Sequence, residues 1–151
     1  MSSLSPLPPG LCHCQALRQA ARRATAWYDA ALAPFGLSVS QFGILARLQK
    51  GGPRSIQALA AELVVDRTTL GRNIRPLERA GLLLAVADPV DGRVRMLTLS
   101  PHGADLVHRA APAWEAAQAG FEARCGAEAA AGLRSALQDV VTALGDAGAE
   151  P

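Results

Sequence analysis

Residues 38–99 contain three short helical patterns in succession, and a chain that carries them in this order can form few folds. The segment "SVSQFGILARLQKGG" begins with Ser38 and Gln41, three residues apart as in a capping box, and ends at glycines. A second pattern follows Ser55 and a third follows Asp66, and both residue types favour the N-cap of a helix. The apolar residues recur every three or four positions, so the sequence predicts three short helices.

The periodicity then changes from helical to alternating. In "LLLAVADPVDGRVRMLTLS", two apolar runs flank a turn that contains Asp88, Pro89, Asp91 and Gly92. Apolar residues that alternate with polar ones on either side of such a turn are typical of a β-hairpin, which we place at about 84–99.

Alanine-rich helices are predicted on both sides of this region. One covers residues 11–34 and the others cover residues 101–147, where Ser100 supplies an N-cap and Pro101 a first-turn proline. Because there is no sheet for them to cover, their apolar stripes must bury one another or the same helices of a second copy. The sequence therefore predicts a mainly α fold with a small β wing, dimerised through its N- and C-terminal helices.

The chain has 151 residues, half of them apolar, which suits one domain. We place this domain at residues 11–147, after a flexible N-terminal tail at residues 1–10. No run of about eighteen apolar residues occurs, and "MSSLSPLPPG" lacks the basic flank and apolar core of a signal peptide. We therefore expect a cytoplasmic protein that does not associate with a membrane.

The formal charge of +2 is unevenly distributed along the chain. Residues 47–95 carry nine Lys or Arg and five Asp or Glu, a balance of +4, whereas residues 101–151 carry three and seven, a balance of −4. A basic middle region favours contact with a polyanion, although a solvated charged face would show the same balance.

Two short helices joined by "LVVD" and followed by a hairpin have the order of a winged helix-turn-helix. The second of them, Arg67 to Ala80, would enter the major groove of double-stranded DNA. Arg can bind guanine or phosphate, and Thr can contact a thymine methyl group or phosphate. An ordinary solvated helix face is the alternative for each such residue. The residues that the apolar stripe turns outward are Arg67, Thr68, Arg72 and Arg75.

Pro76 lies inside this predicted helix. Proline removes one backbone hydrogen bond, so the axis should bend after Arg72, or else the helix ends near Arg75. The apolar stripe continues to Leu77, which favours the bent helix.

From about Cys14 to its last helix, the chain resembles the MarR family of winged helix-turn-helix regulators. The resemblance rests on "QFGILARL", "LAAELVVDRTTLGRNIRPLERAGLL" and "DPVDGRVRMLTLSPHG". It implies a DNA-binding transcriptional regulator, usually a repressor, whose outer helices dimerise and whose recognition helices reach successive major grooves. In the family's wing signature an aspartate braces an arginine two residues later for the minor groove, here Asp91 and Arg93, while Gly92 stands where many members have another arginine.

Together these patterns predict a DNA-binding lobe at residues 38–99. Its candidate contacts come from the recognition helix, the wing and the start of the preceding helix. They are Ser55, Arg67, Thr68, Thr69, Arg72, Arg75, Asp91, Arg93 and Arg95.

Cys12, His13 and Cys14 stand together in "LCHCQALRQ". They offer at most three of the roughly four ligands that a zinc site needs, and no matching pair accompanies them, so we expect no metal. No histidine or acid accompanies a cysteine at a catalytic spacing, and no glycine-rich phosphate loop is present. We therefore expect neither an enzyme nor a cofactor.

The cysteines are either small packing residues or thiols that sense oxidants, since a helix start favours the reactive thiolate. The resemblance adds that the organic-peroxide-sensing branch of the MarR family has a reactive cysteine fourteen residues before a tyrosine, as Cys14 is before Tyr28. In some members a partner-subunit cysteine between the last two helices, here Cys125, resolves it. That branch uses further tyrosines, whereas Tyr28 is the only one here. Cys12 and Cys14 are a second possible pair, whose closure requires the first turn to unwind.

The rival effector is a small aromatic or other organic acid, which the resemblance implies is bound between the dimer helices and the DNA-binding lobe. Arg18, Arg22 and Arg23 could receive its carboxylate and Tyr28 could line the pocket, although the arginines could also be plain surface charge. Another interpretation of the whole chain is a winged-helix protein-interaction module without DNA binding. Neutralised recognition arginines would favour that module, and this sequence retains the arginines.

Overall fold

The elements of the computed structural model follow the order that the sequence predicts. The structure describes residues 12–145, so the predicted tail at 1–10 and residues 11 and 146–147 of the predicted domain lie outside the described residues. Helices with a small antiparallel sheet confirm the mainly α fold with a β wing. The elements are α1 His13–Leu32, α2 Val39–Gly51, β1 Arg54–Ser55, α3 Ile56–Leu63, α4 Arg67–Arg79, β2 Leu83–Ala87, β3 Arg95–Leu99, α5 Pro101–Cys125 and α6 Ala127–Gly145.

The predicted N-caps are confirmed. Ser38 Oγ accepts a hydrogen bond from the Gln41 backbone N–H at 3.2 Å, and Gln41 Oε1 accepts one from the Ser38 N–H at 3.1 Å, which completes the capping box of α2. Ser55 caps α3, and Asp66 caps α4. These local bonds satisfy N–H groups that a helix start otherwise leaves unpaired.

Helix α1 ends in a short 3-10 turn, Ala33–Phe35, that is closed by Gly36 in the left-handed region at φ 68°. The Asp29 carboxylate accepts a hydrogen bond of 2.7 Å from the Val39 N–H, which ties α1 to the start of α2. No single helix in residues 12–145 is long and apolar enough to cross a membrane, although His13–Phe35 and α2, bent by 71° from one another, pass that test together.

The core of the predicted lobe at residues 38–99 forms where α2, α3 and α4 pack with the sheet. The predicted inward residues of α4, Leu70, Ile74 and Leu77, are all buried. Trp114 of α5 stacks on Phe42 with ring centroids 6.0 Å apart. The other buried apolar residues of these elements are Ile44, Leu45, Leu48, Leu59, Ala60, Leu83 and Leu97.

Helix α4 continues through Pro76. The Ala80 N–H still donates to the Pro76 carbonyl at 3.0 Å, and the helix ends at Arg79. The alternative end near Arg75 is therefore wrong, because burial of the continuous apolar stripe outweighs one lost backbone bond. A bend of the axis after Arg72 stays a prediction.

The sheet has the order β1-β3-β2 with antiparallel pairs. Leu83 pairs with Leu99 at the base of the β2–β3 hairpin, and Ala87 pairs with Arg95 at its outer end. The predicted hairpin is confirmed and begins one residue earlier than expected. Strand β1 was not predicted, because two residues are too few to show an alternating pattern.

Buried Ser100 joins the start of α5 to the turn between α4 and β2. Its hydroxyl donates to the Gly81 carbonyl and accepts from the Gly103 N–H at 2.9 Å, and its own N–H donates to the Leu82 carbonyl at 3.0 Å. Gly103 is required here because a Cβ would fall inside van der Waals contact of the Leu82 carbonyl oxygen. The predicted N-cap at Ser100 is thus also a tertiary contact.

The chain divides into two compact units, the first ending at Trp114 and the second beginning at Glu115. The described part of the second unit holds the end of α5, a turn at Gly126 with φ 86°, and α6. Within it, Arg134 pairs with Glu122 at 3.4 Å. The apolar stripe of α6 is between 37% and 68% exposed, at Leu133, Leu137, Val140, Val141 and Leu144.

Candidate nucleic-acid interface

Helix α4 presents a basic ridge on the side opposite its buried stripe. Steps of four, three and four residues place Thr68, Arg72, Arg75 and Arg79 along one line of the helix surface, and all four are exposed. Within residues 12–145, no hydrogen bond or ion pair holds the three guanidinium groups. We call these four residues the α4 ridge, and its free donors suit phosphates and guanine.

The start of α4 is fixed by Asp66. Its carboxylate accepts a hydrogen bond of 2.8 Å from the Thr69 N–H and one of 2.7 Å from the Thr69 hydroxyl. The hydroxyl bond, followed by the backbone bond, lowers the pKa of Asp66 below its ordinary value. Thr69 was predicted as a DNA contact, but its hydroxyl already donates to this cap. Thr68 and Arg67 are exposed beside it.

The turn of the wing, residues 88–94, is held by two aspartates. Asp88 accepts from the Val90 N–H at 2.8 Å, and Asp91 accepts from the Arg93 N–H at 3.1 Å. Asp91 was expected to brace the Arg93 side chain. Instead it binds the backbone of Arg93, and in residues 12–145 no ion pair joins the two side chains. Since Asp91 shapes the turn itself, the exposed Arg93 guanidinium stays available.

Two further candidates from the sequence already have intramolecular partners. Arg95 of β3 forms an ion pair with Glu78 in the last turn of α4. Ser55 Oγ accepts a hydrogen bond of 3.1 Å from the Ala58 N–H as the cap of α3, which leaves the hydroxyl proton to donate to a phosphate. The structure thus brings a basic helix face and the exposed Arg93 of the wing into one lobe.

The sequence is similar to known transcriptional regulators. A family model described as the MarR family matches residues 35–94. The HTH-type transcriptional regulator YxaD of Bacillus subtilis is 34% identical over 71 residues, 47% of this chain and half the length of YxaD. The Mycobacterium tuberculosis regulator MosR, solved in complex with DNA, is 34% identical with a TM-score of 0.70, and the match covers 85% of this chain and 98% of MosR.

The chain belongs to the MarR family. It is a DNA-binding transcriptional regulator with a winged helix-turn-helix, as the sequence analysis predicted. BpsR of Bordetella bronchiseptica shares the fold at 24% identity and a TM-score of 0.79, with 90% of this chain and 97% of BpsR covered.

In this MarR-family protein, two of the four predicted effector residues, Arg18 and Arg22, lie on one face of α1. Arg18 and Arg22 line an open groove with Ala21, Thr25, Ala26 and Asp29. Arg23 lines a neighbouring groove, and Tyr28 is not among the lining residues of either. Arg18, Arg22 and Arg23 thus lie on two neighbouring grooves along α1.

The three cysteines of this MarR-family chain are free and exposed. Cys12 is the N-cap of α1 in an extended conformation, with φ −88° and ψ 110°, and Cys14 lies in the first turn. Cys125 ends α5 before Gly126. Within one chain none of them is a buried packing residue. Among residues 12–145, no group of three or more His, Cys, Asp or Glu side chains could hold a metal ion.

Sequence reasoning missed two residues of this interface. Arg79 belongs to the α4 ridge, and its spacing of four residues from Arg75 could have revealed it. Glu78 holds Arg95 across seventeen residues of sequence, and no local pattern predicts such a pair.

Proposed function

We propose that this protein is a homodimeric repressor that binds a near-palindromic operator and leaves it when an effector acts. The observation that carries the proposal is the α4 ridge together with Arg93 of the wing, because none of their guanidinium groups has an ion pair within residues 12–145. Arginines without partners in their own chain can bind phosphate and base edges without first breaking an ion pair. The DNA complex of MosR, the 34% identical relative, supports double-stranded DNA as the partner.

The exposed apolar stripe of α6 supports the homodimer. Covering exposed apolar residues such as Leu133, Leu137 and Val141 with a second copy would remove them from water, which favours association. Two recognition helices in one dimer would read half-sites about one helical turn apart, near 10 base pairs. Helices α1, α5 and α6 would form the subunit interface, in keeping with the expected dimerisation segments 11–34 and 101–147.

Fluorescence anisotropy with the DNA upstream of the protein's own gene tests this function. We expect Arg93→Ala to weaken binding to all sequences alike, since a wing contact to phosphate carries no base information. Arg67→Ala should weaken binding about tenfold and also relax sequence preference, because one base contact is worth ~1–3 kcal/mol. The affinity of the wild-type protein for DNA should also fall steeply as the salt concentration rises, because phosphate contacts release counterions. An affinity and a footprint unchanged by both substitutions would remove the assignment.

One candidate effector is an oxidant that acts on the exposed thiols. An organic hydroperoxide would take two electrons and two protons from a pair of thiols, which leaves a disulfide, an alcohol and water. Cys12 is the extended N-cap of α1 and Cys14 lies in the first turn, so a disulfide between these residues, only two apart, would require that turn to unwind. Because α1 supports the dimer, its unwinding would alter the spacing of the two recognition helices.

Anisotropy with reduced protein, after stoichiometric organic peroxide, and after dithiothreitol tests this effector. We expect affinity to fall on oxidation, to return on reduction, and to resist oxidation in Cys12→Ser and Cys14→Ser proteins. If those variants still lose DNA, the Cys12–Cys14 pair is wrong. Mass spectrometry then shows whether Cys125 of one subunit pairs with Cys14 of the other.

The other candidate effector is an aromatic or other organic acid. Its carboxylate would bind Arg18 and Arg22, which lie one turn apart on the same groove of α1. An organic acid becomes the favoured effector if oxidation leaves the affinity for DNA unchanged. Tight DNA binding that persists with benzoate-type acids present, or the same response in Arg18→Ala protein, would count against it.

A cytoplasmic protein that acts by binding alone, without catalysis or cofactor, fits this proposal because its relatives are transcriptional regulators. The competing proposal is a winged-helix protein-interaction module. Within residues 12–145 the guanidinium groups of Arg72, Arg75 and Arg79 have no ion pair, which argues against the module. A surface that had lost DNA binding would have no reason to keep three arginines unpaired.

A further inference from the structure

An ion pair links the recognition helix to the wing. The Arg95 guanidinium, at the start of β3, donates to the Glu78 carboxylate in the last turn of α4. The Glu78 side chain is 25% exposed and that of Arg95 is 58% exposed. The pair therefore lies at the protein surface and spans two elements, unlike the pair of Asp105 and Arg109 within α5.

Arg95 lies at the outer end of the β2–β3 hairpin, so its ion pair with Glu78 acts on the part of the hairpin next to the turn. At the base, buried Leu83 faces Leu99 across the strands and fixes the hairpin to the core, and β1 pairs with β3 as far as Met96. At the outer end, Arg95 pairs with Ala87 just before the turn at 88–94. Its bond to Glu78 therefore ties the outer end of the hairpin to α4.

The two wing arginines differ in their partners. Arg93 is exposed and has no ion pair within residues 12–145, whereas Arg95 is held by Glu78. If the Arg95 guanidinium left Glu78 to bind a phosphate, the half-buried carboxylate would lose its partner and would face DNA alone. Both changes are unfavourable.

We propose that Glu78 and Arg95 are positioning residues that set the distance between the wing and the recognition helix, so that Arg93 reaches DNA while α4 lies in the major groove. This inference rests on the proposed function, in which both elements contact one operator. Pairing with β1 holds β3 only as far as Met96, and a hairpin whose outer end is also held loses less freedom on binding than one whose outer end is free. Glu78 thus promotes DNA binding although its charge opposes it.

Removal of Glu78 separates this proposal from a direct contact between Arg95 and phosphate. If Arg95 only met DNA, Glu78→Ala would release its guanidinium, remove a negative charge and strengthen binding. If the pair positions the wing, Glu78→Ala weakens binding as Arg95→Ala does. The two models predict opposite signs for the same substitution.

The experiment measures operator affinity by anisotropy for Glu78→Ala, Arg95→Ala and the double variant, each with Arg93 present and in an Arg93→Ala background. We expect each single variant to bind about two- to fivefold more weakly, as for other exposed ion pairs, and the double variant to resemble the singles. In the Arg93→Ala background the same changes should have no further effect. Asp105→Ala, which breaks the matched pair in α5, should leave affinity unchanged.

Hydrogen exchange of the DNA-free protein supplies a second measurement that does not depend on operator binding. The Asp88 N–H donates to the Val94 carbonyl and the Val94 N–H donates to the Asp91 carbonyl, both at 2.9 Å, so these amides report on the wing turn. We expect faster exchange at both amides in Glu78→Ala and Arg95→Ala, and no change in Asp105→Ala.

Several results would overturn the positioning role. They are tighter or unchanged DNA binding by Glu78→Ala, a further loss on Arg95→Ala when Arg93 is already alanine, and unchanged exchange at the wing amides. A wild-type protein that binds no DNA would instead refute the proposed function, and the exchange rates would then decide whether Glu78 and Arg95 hold the wing.

Discussion

The DNA-binding lobe buries its apolar helix stripe within the chain, whereas helix α6 leaves its apolar stripe exposed. In the lobe, Leu70, Ile74 and Leu77 of α4 turn inward and are almost completely buried within the chain. In α6, Leu133, Leu137 and their neighbours have the same helical spacing but stay exposed. Equal periodicity therefore leads to burial in one region and to an uncovered surface in the other.

The lobe and α6 should therefore contribute to stability in two different ways. Substitutions in the lobe should change the free energy of unfolding at any protein concentration, because the contacts lie within the chain. Substitutions on the α6 stripe should change association, whose effect on stability depends on concentration. The following experiments test whether the two regions separate in this way.

The largest effect is expected at the junction of the lobe with α5. Gly103→Ala places a Cβ against the Leu82 carbonyl oxygen, which cannot move freely because it accepts a hydrogen bond from Ser100. We expect a loss of about 3 kcal/mol of unfolding free energy in chemical denaturation, with no dependence on protein concentration. Gly71→Ala is the matched control, since this helical glycine has nothing within 4 Å of its Cβ position. It should stabilise by up to about 1 kcal/mol, and equal losses in the two variants would contradict the steric explanation.

A smaller effect is expected on α6. Leu137→Glu introduces a charge into the apolar stripe, so we expect the dimer to weaken by about 2 kcal/mol for each subunit, from the cost of burying a charge and the lost apolar contact. Light scattering after size exclusion at several concentrations measures this. Ser135→Glu, on the opposite side of α6, should leave the oligomeric state unchanged. A dimer that tolerates Leu137→Glu would show that this stripe is not the subunit interface.

The smallest effect is expected at the cap of the recognition helix. Hydrogen bonds from Thr69 lower the pKa of Asp66 in the folded protein, so the ionised cap stabilises the fold above the ordinary pKa of aspartate and is lost as pH falls through the lowered value. At neutral pH, Asp66→Ala should melt a few degrees below wild type, and this gap should shrink as the pH is lowered into that range. Asp66→Asn, which retains a cap but cannot titrate, is the control. A gap that stays constant with pH would show that the carboxylate charge adds nothing.

Much of the site could be predicted because its residues lie on one helix. The steps that bury Leu70 and Leu77 also turn Thr68, Arg72 and Arg75 outward, so the pattern that predicted the helix predicted the ridge as well. Arg79 follows from the same spacing and was missed. The roles of Thr69, Asp91 and Arg95 were less accessible, because a residue type that suits DNA does not reveal whether its side chain already has a partner.

Local patterns were enough to predict the helix starts at Ser38, Ser55, Asp66 and Ser100, the hairpin and the resemblance to the family. These features depend on residues within a few positions of one another, and caps and periodicity record such local energies. Tertiary packing, in contrast, sets the pairing of β1 with β3 and the contact of Glu78 with Arg95 across seventeen residues. Such contacts depend on how the helices and strands pack against one another. Burial of apolar side chains such as Leu77 of α4 and Leu83 of β2 drives that packing, and local sequence patterns do not record it.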